Sequence, residues 1–163
     1  MASSSALAHR GGHDALKVRD DGAAIHCETL LDPASLTSID KNKDGVISRV
    51  ELAAGEQELA TWIDAHLRVI GQDGAALSPV FRDAPIVDDA HHDGASSNAP
   101  VRRVRILRRY EASGDAAFLA VDLPGLEDHP FIISGPAGRV TGRIGAGPQF
   151  LTIRGERDDQ GPE

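Results

Sequence analysis

Asp40-Lys41-Asn42-Lys43-Asp44-Gly45-Val46-Ile47-Ser48-Arg49-Val50-Glu51 sets oxygen-bearing side chains at alternate positions and closes on a glutamate. Asp40, Asn42 and Asp44 offer oxygens two residues apart, Ser48 adds a hydroxyl and Glu51 a carboxylate. Gly45 permits a sharp turn that a Cβ would resist. Val46 needs to contribute only its backbone carbonyl, so its side chain is free to vary. Ile47 is expected to point into the core and anchor the loop. A hard cation gathers six to eight oxygens, and this set can supply them. The plain alternative is a polar Asp/Asn/Gly turn between two helices.

The twelve residues resemble the calcium loop of an EF-hand at every diagnostic position. The resemblance implies Ca²⁺ held by Asp40, Asn42, Asp44, the Val46 carbonyl, Ser48 directly or through a water, and a bidentate Glu51. EF-hands usually come in pairs, joined through the residue at the position of Ile47. No second such loop occurs in this sequence. Ile47 therefore needs another partner: either the loop packs on the rest of the domain, or two chains pair. Sensor EF-hands open a Met-rich groove. The one Met is at position 1, so calcium is expected to act on structure rather than by exposing a surface.

Outward from the loop, Asp32-Pro33 predicts a short helix, with Asp as N-cap and Pro at the first helical position. Leu36 and Ile39 supply its apolar contacts. A second helix is predicted from about Arg49 to His66, with Leu52, Leu59, Ile63 and Trp62 as its stripe. Gly55 within it costs about 1 kcal/mol relative to Ala. Around this insertion the pattern has period two. Strands are predicted over 15–19, 23–31, 67–70, 77–82, 101–110, 116–123, 130–134, 139–144 and 150–154, with residues 86–100 as a mobile loop. The expected fold is α+β: a mainly antiparallel β-sandwich or partial barrel with one helix–loop–helix insertion. Residues 1–14 read as a flexible arm, 15–154 as a single domain with the insertion at 33–66, and 155–163 as a charged tail.

The net charge of −8 argues against a general nucleic-acid binder. No run of about 20 apolar residues is present to span a membrane, and Met1–Arg10 lacks the features of a signal peptide. The single Cys27 cannot form an intrachain disulfide and reads as a small buried hydrophobe. His26 and Cys27 are strand neighbours facing opposite sides, so they are not a catalytic pair. His9 with His13, and His91-His92-Asp93, offer imidazoles that suit nickel, zinc or copper, or are exposed loop histidines. Arg102, Arg103, Arg105, Arg108 and Arg109 form either a basic strip or a solvated strand paired with the chain's carboxylates; the second reading is preferred. The glycines at 142, 145 and 147 are turn residues. No catalytic set stands out, so no enzyme is expected.

The order of elements is similar to the extracytoplasmic soluble domain of HupE/UreJ-type membrane proteins. It rests on an N-terminal His, a strand with an Asp-Gly turn, a lone calcium loop, His66-Leu67-Arg68-Val69-Ile70-Gly71-Gln72-Asp73-Gly74 and a β-rich half. That resemblance implies a nickel or cobalt transport accessory protein, an extracytoplasmic setting and a membrane-attached remainder or transporter as partner. The transmembrane part of that family is missing here. The alternative is a cytosolic calcium sensor or buffer that pairs its hands by dimerising.

Overall fold

The structure is a computed structural model that describes residues 14–82, 86–87 and 100–155. The expected arm, the histidines at 9, 13, 91 and 92, and most of the charged tail lie outside the described residues. The chain is α+β, with most of its regular structure in two sheets. The strands are β1 (Leu16–Asp20), β2 (Ala24–Leu31), β3 (Leu67–Gly71), β4 (Phe81–Arg82), β5 (Ile86–Val87), β6 (Val104–Glu111), β7 (Ala117–Val121), β8 (Pro130–Gly135), β9 (Gly138–Arg143) and β10 (Gln149–Arg154). Two helices, α1 (Arg49–Ala54) and α2 (Glu56–His66), lie between β2 and β3.

The larger sheet has the order β4-β6-β2-β1-β8-β9, with β5 also on β6; the smaller has the order β10-β7-β3. Alternation drives both. Leu16, Val18, Ile25, Cys27, Val104, Ile106, Phe131 and Ile133 are buried from the larger sheet, and Leu67, Val69, Leu119, Val121 and Ile153 from the smaller. These side chains join Leu52, Leu59 and Ile63 of the helices in one apolar cluster. Burying that cluster is the main force holding the two sheets together. The sheets are also clamped by charge. Arg154 at the end of β10 donates to Asp20 of β1 at 2.7 and 2.9 Å, and to the carbonyls of Ala112, Gly114 and Gly22. The Asp20 side chain is almost fully buried, and the Arg154 guanidinium holds its carboxyl below the usual range.

The pairings are mainly antiparallel, as expected, with β1 on β8 parallel. Three expectations need correction. The 77–82 strand is reduced to Phe81–Arg82. Leu77 donates to Val69 on the smaller sheet, Val80 donates to Arg109 on the larger, and Pro79 has no donor at the crossing between them. Ile86–Val87, expected within a loop, pairs with β6; residues 88–99 lie outside the described residues. The helix after Asp32 is only a 3₁₀ turn, Pro33–Ser35, although Asp32 caps it as expected by accepting from the Ala34 amide at 2.9 Å.

Candidate metal site

The loop 40–51 follows the 3₁₀ turn and runs into the first turn of α1. Its backbone enters the left-handed region at Lys43 (φ 59°) and at Gly45 (φ 84°), so the chain reverses tightly twice. Gly45 makes this without strain, whereas Lys43 bears a steric cost.

The oxygen-bearing side chains turn inward and bond to the loop's own amides. Asp40 accepts from Asp44 at 3.3 Å and from Gly45 at 2.9 Å. Asn42 accepts from the Asp44 amide at 2.9 Å, and Asp44 accepts from the Val46 amide at 3.0 Å. Glu51 reaches across the whole loop: one carboxylate oxygen accepts from the Asn42 amide at 3.3 Å, the other from the amide and hydroxyl of Ser48 at 3.0 and 2.9 Å. These bonds to Ser48 hold the Glu51 carboxyl below its usual range, so it stays ionised where a free glutamate would begin to protonate. Val46 leaves its side chain 46% exposed, as expected of a position that offers only a carbonyl.

Ser48 and Glu51 also start the helix. Ser48 is the N-cap of α1, accepting from the Glu51 amide at 3.2 Å, and Glu51 bonds back to the Ser48 amide. This reciprocal arrangement satisfies two orphan donors at once. The Ser-x-x-Glu spacing is the local sequence signal for this cap, and it coincides with two of the expected ligands.

The loop is fastened to the β-structure from the other side. The Val101 amide donates to the Ile47 carbonyl at 2.7 Å, and Ser48 and Pro100 form an antiparallel bridge. Ile47, Leu36 and Ile39 are all buried in the main cluster. The predicted second helix begins and ends where expected but breaks at Gly55, giving α1 and α2. A Cβ built on Gly55 would stand 2.8 Å from Cγ2 of Ile39. The break therefore marks where the helix passes the residue next to Asp40.

The donor set fits a hard cation: it is all oxygen, carries three carboxylates, and surrounds the loop interior. Among the described residues no three His, Cys, Asp or Glu side chains are already gathered as a metal cluster.

Other candidate residues are dispersed. Cys27 is buried, and burial pushes its thiol up to about 12, leaving it inert near neutrality. His26 faces the opposite side, 3.0 Å from Asp21. The arginines of the 101–110 stretch divide. Arg108 is buried against Asp64 of α2 at 3.2 Å, with Arg82 on the same carboxylate at 2.9 Å, while Arg105 lies 3.5 Å from Glu28. Arg102, Arg103 and Arg109 are exposed. No helix among the described residues is long and apolar enough to cross a membrane. Compared with known proteins, the chain matches no family model, no curated protein and no solved structure.

Proposed function

We propose that this chain is a calcium-binding module with a single EF-hand-like loop, in which the ion acts on stability. Asp40, Asn42, Asp44, the Val46 carbonyl, Ser48 and Glu51 would hold the ion, which supplies only charge and coordination. The observation that carries this reading is the tie between Ile47–Ser48 and Pro100–Val101, at 2.7 Å from amide to carbonyl. In a paired EF-hand that edge meets a second loop. Here it is taken by the chain's own β-structure, which favours a built-in structural site over a sensor that dimerises through its hands.

Affinity should be modest. Only three carboxylates face the ion and no partner hand pre-organises the loop, so Kd falls between about 10⁻⁵ and 10⁻³ M. Magnesium demands near-octahedral geometry and dehydrates reluctantly, so calcium is preferred clearly. Calorimetry is the test: about one ion per chain, with Glu51→Gln weakening binding most. Wild-type affinity in that variant would remove the assignment. Equal affinity for the two ions would count against the bidentate Glu51.

The resemblance to HupE/UreJ-type proteins supplies the proposed setting, an extracytoplasmic domain of a nickel or cobalt transport accessory protein. It is checked on the coding sequence adjoining Glu163. Apolar runs of about 20 residues there support membrane attachment, and a stop codon directly after Glu163 withdraws this setting.

A further inference from the structure

The larger sheet buries one face in the core; the other carries a charge pattern that the fold does not require. Register places Arg109, His26 and Arg19 directly opposite one another on β6, β2 and β1, and Ser134 and Arg139 continue the row on β8 and β9. Phe81 of β4 begins the row beside Arg109 and is 49% exposed. The neighbouring row brings Leu107, Glu28, Lys17 and Ile132 side by side. A cavity of about 610 Å³ opens over these two rows.

Its charges are unevenly matched. Glu28 is already shared by Lys17 at 3.8 Å and Arg105 at 3.5 Å, and Asp21 is engaged by His26 at 3.0 Å. Asp14 and Glu28 are the carboxylates that line the cavity; Arg19 and Arg109 also border it, and neither forms an ion pair with a carboxylate among the described residues. In a chain of net charge −8, two such guanidiniums flanking one histidine are a local reversal of sign. Adjacent strands lie about 4.8 Å apart, so Arg19 and Arg109 are separated by about 10 Å, within reach of one ligand for two long side chains.

We propose that this face binds a small organic anion with an apolar body. A carboxylate, sulfonate or phosphate sits between Arg19 and Arg109, and the hydrocarbon part rests on Phe81 and Leu107, which lie on the adjacent strands β4 and β6. Guanidinium groups hold such anions through charge-assisted, forked hydrogen bonds. The volume lies within the range of small-ligand sites, about 300–1,000 Å³, which favours a small molecule over a protein partner.

The test uses anilinonaphthalene sulfonate, an aromatic anion that fluoresces on leaving water, titrated into the calcium-loaded full chain. The expected result is saturable binding of one dye per chain, weakened as salt rises from about 0.05 to about 0.5 M. Arg19→Glu and Arg109→Glu each lower affinity by about tenfold or more, and Phe81→Ala lowers it too, whereas Arg68→Glu on β3 leaves it unchanged. Arg19→Gln and Arg109→Gln, which only remove charge, weaken binding in the same direction and guard against a misfolded charge-reversal variant. Uncharged phenylnaphthylamine binds at least about tenfold less tightly. Absence of saturable binding, indifference to both arginine changes, or equal affinity for the uncharged dye overturns the proposal. Displacement by polyglutamate at lower concentration than by octanoate would reassign the face to an acidic protein partner and overturn it equally.

Discussion

Replacing Gly55 by alanine sets helix propensity against packing, and the two effects have opposite signs. In a helix interior the change stabilises by about 0.8–1.0 kcal/mol, but Gly55 lies at the junction of α1 and α2 and caps both, so a smaller gain of about 0.5 kcal/mol applies. The backbone at Gly55 (φ −93°) is open to any residue, so no left-handed strain enters. The obstacle is contact. The new Cβ would stand 2.8 Å from Cγ2 and 3.2 Å from Cγ1 of Ile39, which is 1% exposed. Forcing a methyl into a packed core costs about 1–3 kcal/mol. A cavity of about 190 Å³ borders Ile39, Leu59 and Trp62 and lets Ile39 yield part of the way, which puts the cost near the middle of that range, about 2 kcal/mol. The net effect is a loss of about 1.5 kcal/mol, read from the urea midpoint at unchanged m-value. Because Ile39 precedes Asp40, calcium affinity should fall in the same variant. Ile39→Ala removes both clashing carbons and leaves the Glu51 carbonyl oxygen at 3.2 Å, so Gly55→Ala made on that background should stabilise by about 0.5 kcal/mol. A Gly55→Ala protein more stable than wild type, or no change of sign in the double-mutant cycle, would refute the packing account.

Calcium at about 1 mM with a Kd of about 0.1 mM adds about 1.4 kcal/mol to stability, and melting temperature should rise by about 3–6 °C. On chelation, hydrogen exchange should quicken first across residues 33–66 and leave the strands from Val104 onward protected; quickening throughout the β-half would instead favour a sensor. Val101→Pro deletes the amide that holds Ile47 and should weaken calcium binding by about tenfold while far-UV circular dichroism stays near wild type. An unchanged affinity would show that the loop is organised without the β-structure. Asp20 should govern part of the acid transition. Its folded pKa lies below the unfolded value, chiefly through Arg154. The unfolded chain therefore binds more protons as pH falls, and the stabilisation, complete above about pH 5, is lost on descending through the folded value. Asp20→Asn should flatten that descent and cost about 3 kcal/mol at neutral pH, because it leaves Arg154 without its carboxylate; a variant with wild-type acid sensitivity would assign the transition to other groups.

The sequence alone determined those features that a few neighbouring residues control. Alternation located β1, β2, β3 and β6 to β10 within a few residues, because each strand must bury every second side chain. Helical spacing of Leu52, Leu59 and Ile63 located the helices, and Asp32-Pro33 located the turn before the loop. Oxygen spacing and Gly45 singled out residues 40–51, because donor order along a loop is a local property. Tertiary structure decided what depends on residues far apart in the chain. The parallel contact of β1 with β8 and the clamp of Asp20 by Arg154 join the two ends of the domain, and no local pattern encodes a partner that distant. The fate of the arginines was equally hidden: Arg108 and Arg109 are adjacent in sequence, yet the pleat turns one toward Asp64 in the interior and the other into the open cavity. The partner of Ile47 belonged to the same class. Sequence posed the choice between a second chain and the domain itself, but only the folded sheets bring Val101 within 2.7 Å of the Ile47 carbonyl.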